Sequence, residues 1–456
     1  MKPMKISEIA KAIQGTVNQE GVGDLSVKGV SFDTRESLTG KLFIPLRGQH
    51  VDGHSFLTEA INCGAICCLS EIDTGVPAII VKDAKKALMD LAGYYRSLFD
   101  IKVIGITGSN GKTSTKDMVA SVLSEKFNVV KTIGNFNNDI GLPTTIFNID
   151  DTTEVAVLEM GMNNRWEIHS LSKVAKPDYA IITNIGVAHI ENLGSQEEIF
   201  KAKSEILDFL SPKGRFFVNG DDAFLTRYRT HPAAITYGYG RGCNYKIEDE
   251  QALGLESSEY NLLKKGGDAM PIYVPVPGSH MVQNSAAAAA VGDVLGLSHE
   301  QIAEGIKKFK PSGRRMHIIE TDNGMKLIDD SYNSSPDSVL AALEVLMAAA
   351  GDTVAILGDM FELGEHSAEM HYKIGEEAAK LCISSIICIG EHSQETYEGA
   401  YNQILRGASN SKLYHFEDKQ QCMDMLSSIV RSGDTILVKA SRGMHFEEIV
   451  NFLLTV

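Results

Sequence analysis

A glycine-rich segment typical of phosphate-binding loops occupies residues 103–115, VIGITGSNGKTST. An apolar strand is predicted to run into this loop, and an apolar stripe of Met118, Val119, Val122, Leu123 and Phe127 predicts a helix after it. The loop residues that could contact a nucleotide are Gly108, Ser109, Asn110, Gly111, Lys112, Thr113 and Ser114. Backbone N–H groups at such a loop close around phosphates, while Lys112 can reach the terminal phosphates and Thr113 can bind Mg²⁺. The strict phosphate-loop pattern, G-x4-G-K-[ST], would have a glycine at position 106, where this chain has isoleucine.

Two further polar residues follow predicted strands of the same sheet. Glu159 ends the apolar strand of EVAVLEMG, and His189 comes after the strand of YAIITNIG. Ligands of open α/β sheets bind at the carboxyl ends of the strands. Glu159 can therefore hold a magnesium ion that bridges nucleotide phosphates, or it is simply a turn residue. His189 is open to a functional or a structural interpretation.

A lysine on the apolar face of a predicted helix is a candidate for unusual chemistry. In EEIFKAKSEILDFL, Lys203 shares the stripe of Ile199 and Ile206, whereas Lys201 lies on the polar face. Burial lowers the pKa of an ammonium group, so Lys203 is predicted to be neutral and nucleophilic. A neutral lysine can react with carbon dioxide to give an anionic carbamate. The alternative is a lysine that buries its stem and keeps its charge in water.

The elements that must position these residues form an α/β chain with room for three domains. Short strands and turns occupy residues 1–83, which are predicted to form a small substrate domain. A parallel-sheet phosphate-loop domain is predicted for residues 84–311, where strands alternate with helices, and a Rossmann-like α/β domain for residues 312–456. The third domain is expected to close over the nucleotide and to bind an incoming substrate.

Composition excludes several classes of protein. The seven cysteines are odd in number and form no C-x-x-C pair, which argues against a disulfide framework or a zinc site. A net charge of −16 argues against nucleic acid as a partner. No apolar run reaches the roughly 20 residues needed to span a bilayer, and the N-terminus lacks a secretory signal pattern. A cytoplasmic location is therefore expected.

Eight motifs in one order carry a family resemblance that extends over nearly the whole chain. They are TGSNGKTST, GNFNNDIGLPTT, LEMGMN, NIGVAHIENLGS, KAKSEI, HMVQNSAAAA, DDSYNSSPDS and GDMFELG. This set resembles the Mur ligase superfamily, and most closely its MurF type. The N-terminal segments SFDTR, FIPLRG and DGHSF fit the same type.

The resemblance implies a set of nucleotide and metal contacts. It assigns ATP phosphates and Mg²⁺ to Lys112 and Thr113, a metal ligand to Glu159, and a second Mg²⁺ to His189 and a carbamylated Lys203. It further implies that ATP is bound by Asn284, Asp330, Tyr332, Asn333 and an arginine of SGRRM, for which Arg315 is preferred over Arg314.

The resemblance also implies substrate contacts. The UDP end of the substrate would meet Ser31, Asp33, Thr34 and Arg35, and the muramoyl peptide would face Asn135, Asn137 and Asn138. The motif GDMFELGEHS and the neighbouring His371 have two interpretations. Asp359, Glu362 and His371 line a dipeptide site, or they belong to a surface turn with solvated charges.

The implied reaction is the ATP-dependent joining of D-alanyl-D-alanine to UDP-N-acetylmuramoyl tripeptide through an acyl phosphate, by a monomeric enzyme. One alternative is another ligase of the superfamily, such as a folylpolyglutamate synthase or a Mur ligase that adds a single amino acid. Another is a phosphate-loop ATPase or kinase, although the Lys203 carbamate and the NFNNDIG loop have no purpose there. The sequence leaves open whether the third residue of the tripeptide is lysine or diaminopimelate.

Overall fold

Three main β-sheets organise the chain in the computed structural model, which describes residues 1–48 and 51–455. The sheets follow one another along the chain and contain five, nine and six strands. Parallel strand pairs joined by helices dominate the second and third sheets. The predicted α/β fold class with several parallel-sheet domains is therefore confirmed.

The N-terminal sheet is small and mostly parallel. Its region contains β1 (Met4–Lys5), α1 (Ile6–Ala12), β2 (Thr16–Val17), β3 (Ser26–Val27), β4 (Val30–Ser31), β5 (Leu42–Phe43), α2 (Leu57–Asn62), β6 (Cys67–Ser70) and β7 (Ala78–Ile80). The strand order is β2-β7-β6-β5-β4, and β1 and β3 form a separate antiparallel pair. All four residues of β6 are buried, which places this strand in the middle of the sheet.

Helix α3 (Ala84–Ser97) joins the N-terminal region to the central sheet. The Asp83 carboxylate caps it by accepting a hydrogen bond from the Lys86 amide at 2.8 Å. Its buried face ends at Tyr95, whose hydroxyl donates to the Ile149 carbonyl at 2.7 Å and accepts from the Lys2 amide at 2.7 Å. One buried side chain thus ties the chain's N-terminus to the central region.

The central sheet positions the chemistry. Its strands are β8 (Lys102–Thr107), β9 (Val129–Lys131), β10 (Val155–Glu159), β11 (Tyr179–Ile182), β12 (Arg215–Asn219), β13 (Ala234–Gly238), β14 (Tyr245–Leu253), β15 (Ser257–Lys264) and β16 (Ala269–Val274). Its helices are α4 (Lys112–Leu123), α5 (Gly141–Ile146), α6 (Glu167–Ala175), α7 (Ile190–Leu193), α8 (Gln196–Ser204), α9 (Ser279–Val294) and α10 (His299–Lys307). The strand order is β16-β15-β14-β13-β12-β11-β8-β10-β9, with β14, β15 and β16 antiparallel.

Strand β8 stands at the point where the order of the central sheet reverses. The chain moves from β8 to β9 and β10 on one side and then returns to β11 on the other side. Such a switch point leaves a crevice at the carboxyl ends of the strands, which is where open α/β sheets bind ligands. The loop that follows β8 is the predicted phosphate loop.

Two predicted helices end earlier than their apolar patterns indicate. Helix α4 ends at Leu123, so Phe127 lies beyond it, and α8 ends at Ser204 before a 3₁₀ turn over Glu205–Leu207. A serine hydroxyl bonds back to a carbonyl at each end, from Ser124 to Ala120 at 2.7 Å and from Ser204 to Phe200 at 2.7 Å. Such bonds compete with continued helix, and a period-3.6 pattern does not reveal them.

The C-terminal sheet forms a second α/β layer. Its strands are β17 (His317–Glu320), β18 (Lys326–Asp329), β19 (Thr353–Gly358), β20 (Ser385–Ile389), β21 (Lys412–Phe416) and β22 (Thr435–Lys439). Its helices are α11 (Pro336–Leu346), α12 (Ser367–Lys380), α13 (Ser393–Leu405), α14 (Lys419–Ile429) and α15 (Glu447–Leu453). The strand order is β17-β18-β22-β19-β20-β21, and all but β17 run parallel. Among the residues that the structure describes, no helix is both long and apolar enough to cross a membrane.

Helices α12 and α13 pack so closely that glycine is required at their crossing. A Cβ atom on Gly375 would lie 1.9 Å from the Thr396 carbonyl oxygen. We therefore expect Gly375→Ala to lower the free energy of unfolding by about 1–3 kcal/mol, measured by urea unfolding. Gly242→Ala is the control, because no atom lies within 4 Å of its added Cβ. Equal stability of the two variants would contradict this account of the crossing.

Candidate functional site

A cleft of about 730 Å³ lies between the carboxyl edge of the central sheet and the C-terminal sheet. Many of the residues singled out in the sequence line it. They are Ser109, Asn110, Gly111, Lys112, Thr113, Ser114, Asn135, Asn137, Glu159, His189, Asn284, Arg315, Asp330, Tyr332, Asn333 and Glu362. The fold therefore brings together residues that are up to 253 positions apart in the sequence (109 to 362).

The phosphate loop packs so tightly that two of its glycines cannot carry a side chain. Gly108 has a φ of +150°, and an added Cβ would lie 1.8 Å from Thr183 Oγ1. Gly111 has a φ of +78°, and its Cβ would lie 2.8 Å from Asn284 Oδ1. The Asn110 amide donates to Asn184 Oδ1 at 2.9 Å. The loop is thus held from the β11 side and from α9 before any ligand arrives.

Lys112 folds back over its own loop. Its Nζ donates to the carbonyl oxygens of Gly108 at 2.8 Å and Ser109 at 3.2 Å. Burial lowers the pKa of Lys112, while the nearby Glu159 carboxylate opposes that change. A phosphate group in the loop would offer the ammonium a stronger, charge-assisted partner than these carbonyls.

Glu159 presents a carboxylate next to a hydroxyl at the head of the loop. Its Oε2 accepts from Thr113 Oγ1 at 2.9 Å, and its Oε1 accepts from Asn137 Nδ2 at 2.8 Å. These hard oxygen atoms suit Mg²⁺, which binds one or two carboxylates together with substrate phosphates. Within residues 1–48 and 51–455, no cluster of three or more His, Cys, Asp or Glu side chains could hold a metal alone. The donor set therefore fits a magnesium ion that arrives with a nucleotide.

Lys203 lies on the buried face of α8, as the helical pattern predicts. Only 1% of the residue is exposed, whereas the Lys201 side chain is 47% exposed and pairs with Glu198 at 2.7 Å. In the described parts of the chain, Lys203 has no carboxylate within salt-bridge distance. Burial and the charge of Lys112 place the pKa of Lys203 well below its usual value. The structure thus provides a buried amine that favours its neutral form.

His189 meets a carboxylate from the C-terminal region. Its backbone is left-handed, with a φ of 67°, and its Nδ1 lies 2.6 Å from Glu362 Oε2. The His189 ring is the main cause of a lowered pKa at Glu362. The Glu191 amide also donates to the Glu362 carbonyl at 3.2 Å. This loop of the C-terminal region is therefore docked on α7.

The far wall of the cleft comes from the ends of β18 and β22. Lys439 Nζ donates to Asp330 Oδ2 at 2.5 Å and to the Asn333 carbonyl at 3.0 Å. The Tyr332 ring lies 3.7 Å from the Arg315 guanidinium carbon, and its hydroxyl accepts from Arg442 Nη1 at 3.0 Å. An aromatic face and several hydrogen-bonding groups thus stand opposite the phosphate loop.

The two adjacent arginines of SGRRM have different surroundings. Arg315 lines the cleft, and its charge contributes to the lowered pKa of Lys112. Arg314 is absent from the lining, and its Nη1 lies 3.8 Å from Asp329 Oδ2. The geometry therefore favours Arg315 for phosphate contact.

Two of the candidate asparagines form hydrogen bonds within the protein. Asn138 is absent from the cleft lining, and its Oδ1 accepts from the amides of Ile140 and Gly141 at 3.2 and 2.9 Å. Asn284 lines the cleft, and its Oδ1 accepts from Thr115 Oγ1 at 3.1 Å. Asn138 therefore shapes the loop at the start of α5, while Asn284 supports the phosphate loop from α9.

The N-terminal candidates lie at the end of β4, outside the cleft lining. Ser31 is buried, and its hydroxyl donates to Glu36 Oε1 at 3.1 Å. The exposed Arg35 forms an ion pair with Asp33 at 2.7 Å, which lowers the pKa of Asp33 to about 2, and Thr34 is half-buried between them. Asp33, Thr34 and Arg35 thus form a polar surface beside the N-terminal sheet, with Ser31 buried beneath it.

Sequence reasoning missed several residues that line the cleft. Ser335 Oγ donates to Asn110 Oδ1 at 2.9 Å and so connects α11 to the phosphate loop. Others include Lys439, which ends β22, Arg442, which follows it, and His280, whose pKa burial lowers to about 4. The end of β22 was a usable signal, because parallel strands present their carboxyl ends at one edge. His280 gave no signal beyond its place in HMVQN.

Comparisons with known proteins cover nearly the full chain. Residues 106–292 match the family model of the Mur ligase middle domain, and residues 314–442 match that of the Mur ligase glutamate ligase domain. The chain is 37% identical to the UDP-N-acetylmuramoyl-tripeptide–D-alanyl-D-alanine ligase of Bacillus subtilis, over 98% of each chain. It is 31% identical to the ligase of the same name from Escherichia coli, over 99% of each chain.

Solved structures agree in fold. The chain superposes on a crystal structure of MurF from Acinetobacter baumannii with a TM-score of 0.93, at 30% identity over 100% of both chains. MurF ligase from Thermotoga maritima in complex with ADP gives a TM-score of 0.82 at 26% identity, over 93% of this chain and 97% of that one. The similarity thus includes the N-terminal sheet as well as the two later ones.

The adjacent arginines provide a matched test of the cleft. We expect Arg315→Ala to weaken binding of a non-hydrolysable ATP analogue by roughly 10- to 100-fold, because a charge-assisted hydrogen bond to phosphate is lost. Arg314→Ala should bind nearly as the unchanged chain does. Calorimetry with Mg²⁺ present measures both variants. Greater loss at Arg314 would mean that the phosphate contact is assigned to the wrong arginine.

Proposed function

The chain belongs to the Mur ligase family, and we propose that its cleft is the site where D-alanyl-D-alanine is joined to UDP-N-acetylmuramoyl tripeptide. This reaction is a step of peptidoglycan synthesis and cell wall biogenesis. The observation that carries the conclusion is the full-length similarity to ligases of this name, at up to 37% identity. The cleft supports it, because it joins a phosphate loop to a polar wall from a second sheet.

The chemistry proceeds in two steps. The terminal carboxylate of the tripeptide attacks the γ-phosphate of ATP, which gives an acyl phosphate and ADP. The amine of the dipeptide then attacks the acyl carbon, and inorganic phosphate leaves as the amide bond forms. The first step activates a carboxylate that is otherwise a poor electrophile.

The residues at the phosphate loop reduce the repulsion between the two reacting anions. Lys112 and the loop amides neutralise the phosphate oxygens, and Arg315 adds positive charge from the opposite wall. Thr113 and Glu159 would hold Mg²⁺, which when bound supplies further positive charge to the phosphates. Asn284, Asp330, Tyr332 and Asn333 complete the nucleotide site, and closure of the C-terminal domain excludes water from the acyl phosphate.

Each of the three domains binds a different substrate. Residues 1–83 hold the UDP end through Ser31, Asp33, Thr34 and Arg35, and residues 84–311 hold ATP. Residues 312–456 close over the nucleotide and receive the dipeptide. The loop with Asn135 and Asn137 faces the muramoyl peptide, and an ion pair between Asp139 and Lys85 at 2.5 Å anchors it to the start of α3. One chain supplies the whole cleft, which supports a monomer, and the need for ATP supports a cytoplasmic location.

Phosphate release with different acceptors tests the function. With ATP and UDP-N-acetylmuramoyl tripeptide, we expect release to depend on D-alanyl-D-alanine and the product to be a pentapeptide by mass. Single amino acids should not replace the dipeptide. Turnover with one of them would assign the chain to another branch of the family. Release that is the same with and without any acceptor would leave only an ATPase.

Lys203 is the residue that we propose to be carbamylated. Its neutral amine adds to carbon dioxide and releases a proton, which gives an N-carboxylate. This anion would offset the charge of Lys112 and, with His189, serve a second Mg²⁺. The support is the burial of Lys203, the lowered pKa and the absence of a carboxylate partner among the described residues.

Carbon-13 NMR tests the modification. With ¹³C-labelled carbon dioxide we expect one carbamate signal that disappears in Lys203→Ala and persists in Lys201→Ala, the exposed control. Lys203→Ala should also lower ligation by roughly 10- to 100-fold, which is the loss typical of a residue that tunes a metal site. Full activity without any carbamate signal would show that the amine itself suffices.

A further inference from the structure

The GDMFELG loop after β19 contains one carboxylate that lines the cleft and one that serves the fold, and His371 of α12 supports the loop. Asp359 is buried, and its Oδ1 accepts from the Ser393 amide and hydroxyl, each at 2.7 Å. His371 is fully buried, with Nε2 accepting from the Met360 amide at 2.9 Å and Nδ1 lying 2.8 Å from the Ser367 carbonyl. Both groups thus hold the loop in place. Of these three side chains, Glu362 is the one that lines the cleft.

The position of Glu362 is enforced by its surroundings. Its φ is +64°, a left-handed conformation that is uncommon for a residue with a side chain. The docking of its carbonyl on the Glu191 amide maintains this conformation. Gly364 assists, because a Cβ there would lie 3.3 Å from the Glu191 backbone. The result is a half-exposed carboxylate that the C-terminal region holds beside His189 and within electrostatic reach of Lys112.

Four other carboxylates line the same cleft, and three of them are bound by hydrogen bonds or an ion pair. Glu159 accepts from Thr113 and Asn137, Asp330 is paired with Lys439 at 2.5 Å, and Asp222 accepts from three backbone amides. Asp337 lies against Gly186 without a hydrogen bond to a described residue, and burial raises its pKa. Glu362 also has a free oxygen, since its Oε2 contacts His189 and no described residue is bonded to its Oε1. It differs from Asp337 because His189 and Lys112 lower its pKa, so it carries its charge beside the phosphate loop.

Two positive charges lie at the end of the cleft near Lys112, where the Glu159 carboxylate is already bound to Thr113 and Asn137. Lys112 and Arg315 suit phosphate and carboxylate, but they would repel a cation. The incoming dipeptide enters as a zwitterion. Its ammonium group must bind at this same end and lose a proton to solvent before the neutral nitrogen attacks the acyl carbon. A carboxylate is needed there to offset the repulsion of the ammonium group.

Resting on the proposed function, we propose that Glu362 is the positioning residue that holds the ammonium group of the incoming dipeptide through its free oxygen, Oε1. Because Glu362 belongs to the C-terminal domain, the amine is bound where it meets the acyl phosphate only when that domain is closed. The residue thereby contributes to selection of an acceptor with a free, charged amine.

Glu362→Gln tests this assignment, because glutamine keeps the size and loses the charge. We expect the KM for D-alanyl-D-alanine to rise by roughly 10- to 100-fold, since a hydrogen bond between charged groups is lost. The KM values for ATP and for the tripeptide substrate should stay within about twofold. Glu365→Gln is the matched control, because Glu365 lies in the same loop with a side chain that is 91% exposed.

Hydroxylamine separates binding of the ammonium from closure of the domain. It is mostly uncharged at neutral pH and converts the acyl phosphate into a hydroxamate with release of phosphate, so it needs no carboxylate partner. We expect Glu362→Gln to form hydroxamate at the rate of the unchanged chain while its ligation of dipeptide falls. An equal loss of both reactions, or of neither, would overturn the assignment to the ammonium. Absence of hydroxamate with the unchanged chain would instead refute the proposed acyl-phosphate route.

Discussion

Two anions must approach each other in the cleft, and their charge repulsion is the constraint on which the surrounding structure depends. At 4 Å, two unit charges near a protein surface interact by about 4 kcal/mol at an effective dielectric constant of about 20. The whole chain carries a net charge of −16, which increases the problem. The structure offsets the repulsion locally, because Lys112 and Arg315 line the cleft and neither forms an ion pair with a described residue. Positive charge is thus available to substrate phosphates in a chain that is negative as a whole.

The positive charge at the cleft affects the ionisation of neighbouring lysine and carboxylate side chains. Burial and the charge of Lys112 lower the pKa of Lys203, which favours the neutral amine there. Most of the carboxylates that line the cleft are bound to hydroxyl, amide or ammonium partners, as Glu159 is to Thr113. These partners reduce the repulsion that substrate phosphates would meet from the carboxylates, while Lys112 and Arg315 remain available to pair with the phosphates.

Site residues that a single strand, helix or loop positions were predictable from the sequence. Contacts that depend on how two regions pack together were not. Glycine spacing identified the phosphate loop, a strand end identified Glu159, and helical periodicity identified the burial of Lys203. The contact of Ser335 with Asn110 was not predictable, because it depends on how the C-terminal region lies against the central sheet. Hydrophobic periodicity could not distinguish Arg314 from Arg315 either, since both residues lie outside regular structure before β17.

Several polar contacts join the central and C-terminal regions at the cleft. Ser335 bonds to Asn110 at 2.9 Å, Ser312 donates to Asp117 at 2.6 Å, and Glu362 meets His189. Hydrogen bonds of this kind contribute about 0.5–1.5 kcal/mol each, so together they hold the closed arrangement by only a few kcal/mol. A difference of that size is enough to favour closure when ligands add contacts, and small enough to permit opening for release of product. Because the contacts involve Asn110 of the phosphate loop and Asp117 on α4, nucleotide binding and domain closure act on the same residues. ATP binding can therefore affect closure of the C-terminal domain through residues of the phosphate loop and the first turns of α4 alone.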